Sequence, residues 1–157
     1  MMEFFEDAPL KQRIAFLTAI AHLARSDGDF DDDEKDFFID LAKLYKLSKN
    51  DARETIKLRT DDEVLDAVKT ITNKGLALVL IREMFYLGYE DGDLSDAEII
   101  FISKVGMALG ISIDKMEEIS SWVIRGIEWE EEGDEIFYEF EGEDDDITEI
   151  DLDEFDL

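Results

Sequence analysis

The sequence predicts an all-α fold, a compact bundle of about seven helices built from two related halves and followed by an acidic C-terminal tail. Three observations carry this. One phrase occurs twice: Leu23-Ala24-Arg25-Ser26-Asp27-Gly28-Asp29-Phe30-Asp31 through Glu34, and Leu87-Gly88-Tyr89-Glu90-Asp91-Gly92-Asp93-Leu94-Ser95 through Glu98. The match extends outward, pairing Leu17 with Ile81, Ile20 with Met84, Phe37 with Phe101, Phe38 with Ile102, Leu41 with Val105 and Ser48 with Ser112, which is the mark of an internal repeat. Breakers are few, with one Pro and nine Gly, and the apolar residues recur at helical spacing between them.

The elements follow in order. The first helix starts at Pro9, a favoured first-turn residue, and runs to about Arg25 with Leu10, Ile14, Leu17, Ile20, Ala21 and Ala24 on one face, ended by Gly28. A second, from about Asp32 to Lys46, carries Phe37, Phe38, Leu41 and Leu44. Ser48 caps a short third helix over 51–58. Thr60 and Glu63 read as a capping box opening a fourth, with Val64, Leu65, Val68 and Ile71 inward and Gly75 closing it. Residues 76–89 are apolar nearly all round, as befits a central helix. A sixth helix runs from about Asp96 to Leu109 and stops at Gly110, and Ser112 caps a seventh that ends near Gly126. The expected organisation is a helical domain over 1–127 and a tail over 128–157.

The formal charge of −27 is placed unevenly, because residues 128–157 hold seventeen acids and no Lys or Arg. Such charge argues against direct binding of nucleic acid or an anionic membrane, and for cations or a protein partner with a basic surface. The tail alternates its acids with Ile136, Phe137, Tyr138, Phe140, Ile147, Ile150, Leu152, Phe155 and Leu157. By composition it is disordered, while residues 136–141 carry a strand-like alternation, and both readings stand. No Cys is present, which removes disulfides and thiolate chemistry. The acidic start lacks the basic region of a signal peptide and no apolar run reaches bilayer length, so a soluble, cytoplasmic protein is expected.

Most letters of the repeated phrase have a structural use: a Gly in the left-handed conformation, Asp31 or Ser95 as N-cap, Glu34 or Glu98 as the capping-box partner. Capping leaves Asp27 and Asp29, and Asp91 and Asp93, unexplained, since negative charge is disfavoured at a helix C-terminus. Clustered carboxylates suit hard cations, so Asp27, Asp29, Glu34, Asp91, Asp93 and Glu98 are candidate ligands for calcium or magnesium. The competing reading is a pair of solvated capping loops. An EF-hand is rejected, because Phe38 and Ile102 stand where the bidentate Glu belongs. His22, the one histidine, has no second His or Cys beside it, and no Ser/His/Asp set, P-loop or dinucleotide motif is recoverable. A non-catalytic protein is expected.

A tandem helical repeat with Ala24-Arg-Ser-Asp27-Gly28-Asp29 and Glu34, then Gly88-Tyr-Glu-Asp91-Gly92-Asp93 and Glu98, then Leu109-Gly110-Ile111, resembles the TerB-like domain family of tellurite-resistance proteins and a membrane-anchored DnaJ-like chaperone. The likeness covers about residues 9–127. It implies a compact helical module, acidic on its surface, that binds metal ions and acts as an adaptor in bacterial stress-response complexes, often in peripheral association with a membrane complex. The acidic, aromatic tail departs from that pattern. A second reading from the charge alone is an acidic mimic or inhibitor of a basic nucleic-acid-binding protein, and a third is a metal-dependent hydrolase using the same carboxylates.

Overall fold

The computed structural model describes residues 5–90 and 92–138, without the Asp27 side chain. Seven α-helices occur among the described residues: α1 Leu10–Ala24, α2 Asp32–Leu44, α3 Lys49–Thr55, α4 Asp61–Val68, α5 Lys74–Glu90, α6 Asp96–Ala108 and α7 Ile113–Tyr138. The chain divides into two units, residues 1–124 and 125–157, and α7 belongs to both. The all-α architecture and its two related halves follow the sequence. Adding 64 to the starts of α1, α2 and α3 gives the starts of α5, α6 and α7, and α4 is the connector between the halves.

The repeat is visible in the backbone. Ser48 Oγ accepts the Asp51 N–H at 3.1 Å, and Ser112 Oγ accepts the Lys115 N–H at 3.1 Å. Each satisfies a first-turn donor that has no partner inside its helix. Both α2 and α6 end in the same reversal: Leu47 N–H reaches back to the Ala42 carbonyl at 3.1 Å, and Ile111 N–H to the Gly106 carbonyl at 2.9 Å. The residue at the turn has positive φ, 73° at Gly110 and 60° at Lys46, so the first half forms with a side chain a turn that favours glycine. Capping boxes open α4, through Thr60 and Glu63, and α6, through Ser95 and Glu98.

The core lies between the two long helices that the repeat equates. α1 packs against α3, α4 and α5, and α5 packs against α1 and α6. Ala15 to Ala21 are buried without a break in α1, while α5 buries Leu76, Ala77, Leu80, Ile81, Met84, Phe85 and Gly88. Centrality is therefore shared, and α5 keeps an outer face on which Leu78 is 37% exposed. At about 1.5–3 kcal/mol for each large apolar side chain removed from water, this shared layer dominates stability. Two buried polar side chains are hydrogen-bonded there: Gln12 donates to Thr72 Oγ1 at 3.0 Å and Thr55 Oγ1 donates to the Ala52 carbonyl at 2.6 Å.

Several boundaries and faces differ from the sequence reading. Pro9 caps α1 from outside it. Gly75 lies in the first turn of α5, where Asn73 Oδ1 accepts the Leu76 N–H at 3.0 Å, because a side-chain acceptor can start a helix at a residue that looks like a stop. Phe37 and Leu44 are exposed at 63% and 70%; helical spacing sets which residues share a face, but the neighbouring helices decide which face is covered. Gly126 and Gly133 are helical, and so are Ile136, Phe137 and Tyr138. A glycine costs a helix only about 1 kcal/mol, and neither a Pro nor a cap interrupts the run. The expected strand-like stretch is thus helical as far as Tyr138, and the remainder of the tail lies outside the described residues.

Candidate functional site

The repeated acidic phrase sits at equivalent corners, between α1 and α2 and between α5 and α6. After α1 a short 3-10 turn, Arg25–Asp27, leads to Gly28 with φ 140° and ψ 170°. Gly92 has φ 121°. Positive φ was expected at both glycines, but Gly28 is extended rather than left-handed helical, a conformation open essentially to glycine alone. A Cβ at either position would meet nothing within 4 Å, so the requirement lies in the backbone and not in space.

The repeat gives two parallel sets of candidate ligands, of which Asp29 and Glu34 in the first and Asp93 and Glu98 in the second have described side chains. Asp29 Oδ1 accepts the Phe30 N–H at 2.8 Å and lies 3.2 Å from Arg25 Nε. The negative charge at the end of α1 is thus balanced by a cation from the chain itself, and the i,i+4 spacing of Arg25 and Asp29 was its signal in the sequence. Glu98 is engaged in the α6 capping box, accepting the Ser95 N–H at 3.1 Å. Glu34 is exposed, and its carboxyl is raised above the usual value, first by desolvation and then by the charge of Asp31. Asp93 is exposed; the Asp27 side chain and Asp91 lie outside the described residues. Among the described residues, no group of three or more His, Cys, Asp or Glu could hold a metal ion.

Beside the first corner is a cavity of about 320 Å³ lined by His22, Arg25, Ser26, Arg59, Asp61 and Glu98, with Phe101 against the imidazole. Three of its polar side chains are held by other protein groups. His22 Nε2 donates to Asp61 Oδ1 at 2.7 Å, Arg25 donates to the Ile56 carbonyl, and Arg59 donates to the Lys57 carbonyl at 3.2 Å. The His22–Asp61 pair links α1 to the first turn of α4, where a carboxylate is favoured by the helix dipole. With a separation of 39 residues, the pair left no local trace in the sequence.

The second corner is tied differently at the same positions. Tyr89, the counterpart of Arg25, hydrogen-bonds through its hydroxyl to Ser120 Oγ at 3.0 Å, and Ser120 is the counterpart of Ile56. In each half the end of the long helix is thus fastened to the third helix. Around this second fastening lies a cavity of about 480 Å³ whose lining includes Phe85, Ile99, Ser103, Met107, Ile113 and Met116. Three of those side chains face solvent, Ile99 at 44%, Met107 at 70% and Ile113 at 66%.

Comparison with known proteins found no matching family model, curated protein or solved structure. No helix among the described residues is long and apolar enough to cross a membrane.

Proposed function

We propose that the chain is a non-catalytic interaction module, similar to the TerB-like domain, that serves as a cytoplasmic adaptor in stress response by engaging a protein partner with a basic surface. One observation supports this above the others: large apolar side chains stay exposed on a strongly acidic molecule. Phe37, Met107, Ile113 and Trp122 are more than half exposed in the first unit, and Trp129, Ile136, Phe137 and Tyr138 in the second. Exposed apolar patches on a monomer mark sites of association, and the surrounding acids select a basic partner and speed its arrival. Calcium or magnesium binding at the repeated corners is a secondary part of the proposal, and it requires Asp29 and Glu98 to give up Arg25 and the α6 cap.

The experiment is proximity labelling in cells with the full chain against a variant carrying Met107→Ser, Ile113→Ser, Trp129→Ser, Ile136→Ser and Phe137→Ser. All five side chains are exposed, so the fold is expected to survive. Loss of the labelled partners in the variant is the expected result, and an unchanged set would contradict the reading.

The run from Glu128 to Glu135 holds six acids and no base, which favours the acidic mimic of nucleic acid as a second reading. Salt separates the two. Binding by phosphate-like charge weakens steeply as salt rises, whereas apolar docking loses mainly its on-rate.

A further inference from the structure

We infer that the groove between α6 and α7 is the docking site for a basic amphipathic helix of the partner; the inference rests on the interaction-module reading and gives it a place and a ligand. Its walls have helical spacing. Ile99, Ser103 and Met107 stand at successive four-residue steps on α6, and Ile113 and Glu117 do the same on α7. The row from Ile99 to Met107 is about 12 Å long at 1.5 Å per residue, the length of two turns of a docked helix. Phe85 and Met116, both buried, form the floor. A thioether can re-pack around apolar side chains of different shapes.

The groove exists because the second half departs from the first at equivalent positions. Buried Ala52 of α3 is replaced by buried Met116 of α7, and α7 approaches α5 and α6 less closely than α3 approaches α1 and α2. On the walls, Ile99, Met107 and Ile113 stand where the first half has Lys35, Lys43 and Lys49, while Glu117 and Ser121 stand where it has Arg53 and Lys57. Five cations of the first half's surface have no counterpart in the second, where three of their positions hold large apolar side chains. The charge around it follows suit: residues 88–124 hold eight acids and two lysines. An apolar stripe flanked by Lys or Arg therefore complements this groove, and the equivalent surface of the first half would repel it.

The probe is a 14-residue peptide of leucine and lysine with its leucines on one helical face, titrated into the full chain at about 0.15 M salt, where long-range attraction between exposed charges is screened. The readout is the methyl NMR spectrum of the methionines, of which the chain has five. The Met107 and Met116 methyls are expected to shift while buried Met84 does not, and Ile99→Ser/Met107→Ser/Ile113→Ser is expected to lower the affinity at least tenfold with an unchanged melting temperature. These substitutions add no charge, and the first half already carries polar residues at all three positions, so the variant is expected to fold. Binding that survives in the triple variant, or that moves no methionine methyl, would overturn the groove while leaving the module reading in place. Two further outcomes would also overturn it: tighter binding of a peptide of residues 139–157, and concentration-dependent self-association lost in the triple variant.

Discussion

The two halves of this chain place the same helices, caps and turns 64 residues apart, yet they present opposite surfaces. In the first, residues 24–60 carry ten acids and eight bases, and Lys35, Lys43 and Lys49 line the outer face. In the second, residues 88–124 carry eight acids and two bases, and Ile99, Met107 and Ile113 take those places. What the halves share is what the backbone requires: Ser48 and Ser112 as caps, Gly28 and Gly92 at positive φ, and the turn at Lys46 and Gly110. Their sharpest differences in charge face solvent, where function is free to differ, while a few buried pairs such as Ala52 and Met116 exchange volume.

The sharpest break of the comparison is at the shared core. Phe16 and Leu80 are equivalent and fully buried, so Phe16→Asp and Leu80→Asp each put a carboxylate among apolar side chains without a partner. A cost of several kcal/mol is expected for either, enough to unfold the whole bundle, as seen by loss of the cooperative melt. If one substitution left the other half folded, the halves would be independent units rather than one body.

A smaller effect is expected where the halves exchange volume. A Cβ on Gly106 would come within 2.1 Å of Met116 Sδ, while the first half has Ala42 and Ala52 at those two places. Gly106→Ala alone is expected to destabilise by about 1–3 kcal/mol through overpacking. In a Met116→Ala background, where the thioether is gone, the same substitution is expected to cost about 1 kcal/mol less. Additive effects in chemical denaturation would show that the two positions do not share one space.

The turn at Lys46 sharpens the comparison in the other direction. Lys46→Gly copies Gly110 and is expected to stabilise by about 1 kcal/mol, the strain of a side chain at positive φ. Loss of the exposed Lys46–Glu6 pair, 3.5 Å apart, takes back at most a few tenths. An unchanged or lower melting temperature would contradict that assignment.

The smallest effect concerns Glu54, whose carboxyl is held below its usual value, first by the hydrogen bond from Lys57 at 2.6 Å and then by that residue's charge. The counterpart of Lys57 is Ser121, so the second half lacks the pair. A depressed carboxylate contributes stability that is present above its unfolded value and lost as pH falls through the folded one. Glu54→Gln is therefore expected to melt slightly below the wild type at neutral pH, and the gap is expected to close under acid conditions. A gap that widened in acid would reverse the sign.

How much of this was legible depended on distance along the chain. Caps, turns and helix starts are set within three to six residues, so the repeat, the order of seven helices and two of the three expected capping boxes were readable, while at Asp31 the N-cap bond to the Glu34 N–H forms alone. The exposure of Phe37 and Leu44 was not, because helical spacing places two apolar faces on α2 without saying which one a neighbour covers. Gly126 misled for a related reason: a breaker is only a local cost, and the surrounding helix formers outweigh it. The acid corners pointed to a cation, and the first of them is supplied with one by Arg25 only four residues away from Asp29. The groove was hidden in plain sequence, since Lys35 against Ile99 is informative only once both are known to line equivalent surfaces.

The most direct test of equal scaffolds with unequal surfaces is to give the first half the second half's face. Ala42→Gly and Ala52→Met, which exchange the floor, together with Lys35→Ile, Lys43→Met, Lys49→Ile, Arg53→Glu and Lys57→Ser on the walls do this, and titration calorimetry with the leucine–lysine peptide counts the sites. Two sites per chain are expected, against one in the wild type. A stoichiometry that remained at one, in a variant that still melts cooperatively, would contradict the account, because the halves would then differ in something deeper than the side chains at these seven positions.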